Sequence, residues 1–530
     1  MKTFHRSLII GCSALALAGC GADEVVTPGT GGNIIINNPT PSPTPTPTPT
    51  STLVTPAAGC PTIANPAQLV DAGTISGPTG EWRVCRLPTS FTASTTLTQI
   101  AGLLYQIDGQ VNVGADGGPA PDASDGASDT NVVLTIQPGV ILFASGSSFL
   151  NINRGNDIQA NGTSTRPIIF TSRDNVQGLN NSNSSGQWGG VIINGRAPVT
   201  DCSAAGATPG TVACERLVEG ATTPPRYGGA TTNDNSGSMK FVQLRYSGFI
   251  LSNGDELQSL TTGGVGSGTT FENIMSYNSS DDGVEFFGGV VNLRRYIVVG
   301  SEDDSLDTDT GVKASIDQMI AVQRATAGDT IIEADSSNTL EEDTPRQNTR
   351  ITNATFIGNS ATGDQLIRIR GKADFAIVNS ILFDQKASTP CLRIDGTDTL
   401  DRAANAGLDE AGPVRFESFV LDCATDFRNS SGGVTAAAIE ARYNAGSNNN
   451  AAFTNTLSAL GGAPFINGTN ENGRAVFNPT ALSTYFTVAP TFIGAVQNTA
   501  GNWAESWTCN SPTITLGTAN TGDCASLPVF

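Results

Sequence analysis

The chain has 530 residues and a formal net charge of −20, from 28 Lys and Arg against 48 Asp and Glu, with 60 Gly, 28 Pro and only 14% charged residues. A composition so rich in glycine and so poor in charge excludes a mainly helical protein. The excess of acid leaves nothing to offset repulsion from phosphates, which excludes nucleic acid as a partner.

Residues 1–20 read MKTFHRSLIIGCSALALAGC. A basic start (Lys2, His5, Arg6), an apolar run too short to span a bilayer and small closing residues form the pattern of an export signal. Leu17-Ala18-Gly19-Cys20 resembles the lipobox of bacterial lipoproteins. That resemblance implies removal of residues 1–19 and lipidation of Cys20, whose acyl chains would anchor the protein in a membrane at about 0.8 kcal/mol per buried CH₂. Gly21, where an Asp would favour the inner membrane, points to the outer membrane and the cell surface, with later release left open. His5 is the only histidine. Its loss with the signal excludes Ser-His-Asp triads, His-ligated zinc and a His general base.

From residue 20 to 58 the chain predicts a flexible tether. Its centre, NPTPSPTPTPTPTSTLVT, alternates Pro with Thr, and proline lacks the donor N–H and biases its predecessor toward extended geometry. Such a segment extends by about 3 Å per residue. Beyond the anchor, eight cysteines remain: Cys60, Cys85, Cys202, Cys214, Cys391, Cys423, Cys509 and Cys524. An even number in an exported chain reads as disulfides, with the pairing left open. Pairing of sequence neighbours would close short loops, each contributing on the order of 3 kcal/mol in the chain-entropy view.

Residues 59–131 are expected to form an N-terminal cap and first coils. From 132 to 397 short apolar runs (132–136, 140–143, 149–152, 168–171, 191–193) are punctuated by Gly, Asn and Asp. The Asn-Gly and Asp-Gly signals of antiparallel hairpins are sparse. Self-similarity is the stronger signal. Asp281-Asp282-Gly283-Val284-Glu285 returns as Asp303-Asp304-Ser305-Leu306-Asp307 at an offset of 22, which also sets Phe271 on Leu293 and Met275 on Ile297. Further matches begin at Ile332, Ile367 and Leu392, at offsets of 26, 35 and 25. One such unit cannot bury its apolar side alone, whereas a stack makes a continuous core. These repeats, with Arg166-Pro-Ile-Ile-Phe-Thr-Ser and Gln187-Trp-Gly-Gly-Val-Ile-Ile-Asn-Gly, resemble the right-handed parallel β-helix proteins, a group that includes pectate-lyase-like enzymes and bacterial surface lipoproteins. The expected fold is an all-β solenoid with capped ends, on the order of 50 Å long for ten or so rungs at about 4.8 Å each. Residues 398–530 would supply the closing coils and cap, with Trp503 and Trp507 in its core.

Register then predicts a charged stripe. Val284, Leu306, Ile332, Ile367 and Leu392 point inward, as do Phe286, Thr308, Ala334, Ile369 and Ile394, so period-two alternation sends their neighbours out. One outward column reads Glu285, Asp307, Glu333, Arg368, Arg393; the next reads Phe287, Asp309, Asp335, Arg370, Asp395. Two full charges about 4.8 Å apart repel by about 3.5 kcal/mol at an effective dielectric of 20. Three outcomes relieve this: neutralisation by Arg368 and Arg370 with water screening the rest, a structural Ca²⁺ on Glu285, Asp307, Asp309, Glu333 and Asp335, or a ligand site. The acid pairs Asp281-Asp282 and Asp303-Asp304 add a second cation position. Asp116, Asp122, Asp125 and Asp129 lie in a Gly/Pro/Ala loop and are expected to be solvated.

Oxygen ligands at flexible spacing suit Ca²⁺, and no thiolate or imidazole is at hand for zinc. Carboxylates beside exposed arginines resemble the site of β-helix polysaccharide lyases. That likeness implies Ca²⁺ on Asp307, Asp309, Glu333 and Asp335, with Arg368 or Arg393 as base. Phe287 would stack on a sugar ring, and Arg370 and Asp395 would bind ligand. A base so strong as arginine argues against it. Asp307 and Asp309 could instead act as acid and base in hydrolysis. The competing class is a surface lipoprotein that binds or scaffolds without turnover, its partner a polysaccharide, a cation or an outer-membrane protein.

Overall fold

The computed structural model describes residues 53–530 apart from 220, 222, 251–255, 310, 337–340 and 431. The signal, Cys20 and most of the tether lie outside the described residues. The tether expected through residue 58 ends earlier: Val54 bridges Gly80, and its N–H bonds the Thr79 carbonyl at 2.8 Å.

Ten short strands stack in parallel as one sheet, running from Ser90–Phe91 through Val191–Asn194, Leu260–Gly263, Val284–Phe287, Leu306–Asp309, Ile332–Ala334 and Ile367–Ile369 to Leu392–Ile394. The repeat alignment is the observed register: Glu285 faces Asp307, Asp307 faces Glu333, Glu333 faces Arg368 and Arg368 faces Arg393. Val284, Leu306, Ile332 and Ile367 form a fully buried inner column. This is the solenoid principle: each rung buries its apolar edge only against the rungs above and below.

A second sheet of seventeen strands forms the remaining sides of the coils. Its long strands, Gly237–Arg245, Thr270–Tyr277, Val290–Val299, Lys313–Val322 and Asn348–Gly358, pair in parallel and each bends at one residue. The bend residues are Phe241, Asn273, Arg295, Gln318 and Asn353, with φ of 51°, 56°, 59°, 67° and 57°. They sit at equivalent positions of successive coils. A left-handed residue turns the strand out of its plane at a steric cost that a side chain carries only where packing holds it.

Both ends are closed. At the first coil, Val70–Gly77 pairs antiparallel with Gly80–Arg86. At the last, the helix Ala436–Asn444, capped by Thr435, drives Ile439 and Tyr443 into the central core beside Phe416 and Phe419. Covering the ends in this way hides open sheet edges.

The remainder of segment 398–530 corrects the expectation of a terminal cap. From Phe453 onward the chain runs back along the flank of the second sheet as a strap, ending with the Phe530 carbonyl on Gln99 at 3.3 Å. The physical reason lies in the long strands. Met275, Tyr277, Ile297, Val299, Ile320, Val322 and Ile357 point away from the central core yet are apolar, and the strap buries them. Trp507 is fully buried in this flank layer, with its indole N–H on the Trp503 carbonyl, so both tryptophans serve the strap and not an end cap. Arg245, fully buried, donates to the Cys524 and Ser526 carbonyls at 2.9 Å and holds the strap down.

All four disulfides join sequence neighbours: Cys60–Cys85, Cys202–Cys214, Cys391–Cys423 and Cys509–Cys524. They lie at the first coil, in a loop over the ten-stranded sheet, at the last coils and in the strap. No helix among the described residues is long and apolar enough to cross a membrane.

Candidate functional site

The outer face of the ten-stranded sheet divides into two halves. Its far half is an ion-pair network. Arg368 bridges Glu333 at 3.1 Å and Asp395 at 2.9 Å; Arg370 bridges Glu333 at 2.6 Å and Asp335 at 3.0 Å; Arg393 holds Asp395 at 2.8 Å. Glu333 and Asp335 are therefore engaged by arginines, which takes them out of the five-residue calcium set the sequence suggests. Asp395 likewise serves the arginines.

The near half is covered. Between Val191–Asn194 and Gly237–Arg245 the chain makes an excursion that carries the Cys202–Cys214 disulfide and a two-residue hairpin, Arg216–Leu217 with Arg226–Tyr227. Val199, Cys214, Val218 and Tyr227 from this excursion pack on Phe149, Ile192 and Phe287. Tyr227 lies over Gly263, where any Cβ would meet its ring at 2.5 Å, so the close approach requires glycine there. Phe287 sits under the same ring at 6.1 Å and is only 4% exposed. The platform expected to stack on a sugar is part of a buried apolar layer, because the excursion roofs the strand that alternation sends outward.

Two arginines anchor the roof. Arg154, 1% exposed, pairs with Asp116 at 2.6 Å and Glu215 at 2.7 Å, and Arg196 pairs with Asp129 at 2.6 Å. Asp116 and Asp129 are thus structural ion-pair partners, contrary to the solvated loop expected from composition.

Roofing strips water from the acids at its edge. Carboxylate oxygens of Asp282, Glu285 and Asp307 all lie within 4.8 Å of one another, and Asp281, Asp282 and Asp303 form a second such group. Asp282 accepts the Asp304 N–H at 2.8 Å, and Asp304 accepts the N–H and hydroxyl of Thr330. Each turn aspartate thereby satisfies the backbone of the next coil with one oxygen. Glu285 is 7% exposed, and among the described residues its carboxylate has neither a hydrogen-bond donor nor a cationic partner. Oδ1 of Asp307 is buried and equally unpartnered.

Burial first, and the neighbouring carboxylates second, push Asp282, Glu285, Asp304 and Asp307 well above the usual carboxylate range. Asp281 is pushed up to about 7 by burial and then by Glu256 and Asp303. Asp335, buried to a lesser degree and relieved by Arg370, reaches about 6. Such a set can hold protons or a hard cation. Its donors are all oxygen, which fits Ca²⁺ and fits neither zinc nor copper.

Of the expected ligands, the structure brings Glu285 and Asp307 together, places Asp309 in the adjacent column opposite Phe287, and assigns Glu333 and Asp335 to arginines. Asp282 joins Glu285 and Asp307 from the turn before the strand. A signal for the roof was present: the next strand match after Val191 lies at Leu260, far beyond the usual repeat, and two cysteines fall in the gap.

No curated protein and no solved structure matches the chain. A family model described as a pectate-lyase-like beta helix domain matches residues 126–461, and with the stacked parallel coils described above it establishes that the chain belongs to the pectate-lyase-like β-helix family.

Proposed function

We propose that this protein is a lipid-anchored β-helix of the cell envelope, held through Cys20 on the outer membrane at the cell surface, that binds or scaffolds without turnover. A Ca²⁺ ion held by Asp282, Glu285 and Asp307 would tie two successive coils together at the edge of the roof, and a glycan or another envelope protein would be the partner. The observation that carries this reading is the buried, unpartnered Oδ1 of Asp307 beside the carboxylates of Glu285 and Asp282. Adhesion, nutrient capture beside an outer-membrane transporter and a matrix role all fit such a module.

The lyase alternative keeps Asp307 and Asp309 as candidates but loses its base. Burial lowers the Arg368 guanidinium, yet Glu333 and Asp395 outweigh it and hold the group above its ordinary value. A base has to release its proton, and ion pairing opposes that.

Calcium titration of the EDTA-stripped protein tests the reading, followed by calorimetry and by scanning unfolding. Saturable binding that is lost in Asp307→Asn is expected, together with no ultraviolet-absorbing unsaturated product from a polyuronate panel. Turnover of any polyuronate would overturn the non-enzymatic reading. Calcium binding indifferent to Asp307→Asn would overturn the site.

A further inference from the structure

A second site lies on the seventeen-stranded sheet, away from the acidic column. The strap is pinned there at two points: Ser315 Oγ meets Ser483 Oγ at 2.9 Å, and Asn353 Nδ2 donates to the Phe492 carbonyl at 2.7 Å. Between the pins the chain bows outward, leaving Val488 75% exposed. Beneath the bow is a cleft of about 710 Å³, walled by Tyr485, Phe486 and Phe492 and floored by the sheet.

The floor is built by register. Glu272, Arg294 and Asp317 face one another on adjacent strands, and the bend residues Arg295 and Gln318 lie beside them. Lys240 pairs with Glu272 at 3.6 Å and Arg294 with Asp317 at 3.4 Å. Arg295 is left over. Its Nε donates to Gln318 at 3.1 Å, and among the described residues no carboxylate lies within ion-pair distance of it. Burial, and then the charge of Arg294, oppose its ionisation. The half-buried Tyr485 ring packs near Phe486 at 5.9 Å, and its hydroxyl has no hydrogen-bond partner among the described residues.

We propose that this cleft binds a carboxylate-bearing sugar unit, with the carboxylate on Arg295 and the ring against Tyr485. A planar guanidinium matches a carboxylate with two parallel hydrogen bonds. The volume falls within the range of small-molecule sites, about 300–1,000 Å³, in which apolar walls surround a few convergent polar groups. An inorganic anion would use neither the aromatic wall nor the room. A purely apolar ligand would leave the Arg295 guanidinium without a counter-charge and the Tyr485 hydroxyl without a partner, whereas a carboxylate-bearing, polyhydroxylated ring supplies both. The proposal deepens the glycan-binding reading above but does not depend on the cation centre.

The test titrates methyl glucuronide and methyl glucoside, which differ only in the carboxylate, into the full chain in EDTA by calorimetry, with saturation-transfer NMR reporting aromatic contact. Saturable glucuronide binding, at least tenfold tighter than glucoside, is expected. Arg295→Gln should weaken it at least tenfold with an unchanged melting temperature, since Gln318 already occupies the equivalent left-handed bend. Tyr485→Ala, on the exposed bow, is the second variant and should abolish the aromatic transfer signal. Equal affinity for the two sugars, undiminished binding by both variants, or no binding at all would overturn the proposal. Binding that requires calcium would also overturn it, by moving the ligand to the acidic column.

Discussion

Replacing Glu285 by glutamine isolates the electrostatics of the cation centre, because the change keeps the side chain's shape and removes one buried charge. Two independent magnitudes bound the effect. Full charges on Glu285 and Asp307 about 4.8 Å apart, at an effective dielectric of 20, repel by about 3.5 kcal/mol. Holding a glutamate protonated at pH 7 costs about 1.36 kcal/mol for each unit between 7 and its ordinary value near 4.3, or about 3.7 kcal/mol. The amide avoids both costs, so E285Q in EDTA should gain about 2–3.5 kcal/mol. Unfolding entropy of about 2.1 cal/mol/K per residue over residues 53–530 amounts to roughly 1 kcal/mol per degree, so the midpoint should rise by about 2–4 °C. With calcium the variant's lead closes. The parent protein then gains about 2.7 kcal/mol at a hundredfold excess over Kd, and the variant does not. Scanning calorimetry in EDTA and in calcium reads both effects. A variant less stable than the parent in EDTA would refute the reasoning, since it would mean that Glu285 has a favourable partner.

Three further outcomes follow from the packing. Asp374 is pushed up to about 7 by burial, then by Glu410. The folded chain therefore keeps a proton that the unfolded chain releases near pH 4, so stability should fall as pH rises from about 4 to 7, with a slope approaching 1.4 kcal/mol per unit from this group. Urea midpoints should show the slope and Asp374→Asn should reduce it; an unchanged slope contradicts the assignment. Ile332→Ala, in the fully buried column between Leu306 and Ile367, should cost about 2–5 kcal/mol in denaturant unfolding. Trp507→Ala should loosen the strap first: hydrogen exchange should rise in residues 453–530 while the ten-stranded sheet keeps its protection, and uniform loss would argue against a separable strap layer.

The coil and its register were legible because a strand repeat leaves an alignable pattern. Apolar residues at Val284, Leu306, Ile332, Ile367 and Leu392 recur in the same frame, and side-chain period two then assigns every neighbour to a face. The arginine network was legible for the same reason: once Arg368 and Arg370 fall on the rung after Glu333 and Asp335, opposite charges stand within reach. Runs such as Tyr296 to Val299 and Met319 to Val322 lack polar alternation, and strands buried on both faces read that way. They carried a sign of the strap that the repeat pattern overshadowed.

What stayed hidden depended on segments that obey no repeat. The excursion after Asn194 has no period to align, yet it buries Phe287 and dries Glu285. The bow at residues 484–491 is an irregular loop whose meaning comes only from its pins at Ser315 and Asn353. Local periodicity therefore settles which residues share a face of a solenoid, since neighbouring rungs differ by one translation. Exposure, charge state and the shape of a cleft were decided in three dimensions, because they depend on what a distant stretch of chain lays across that face.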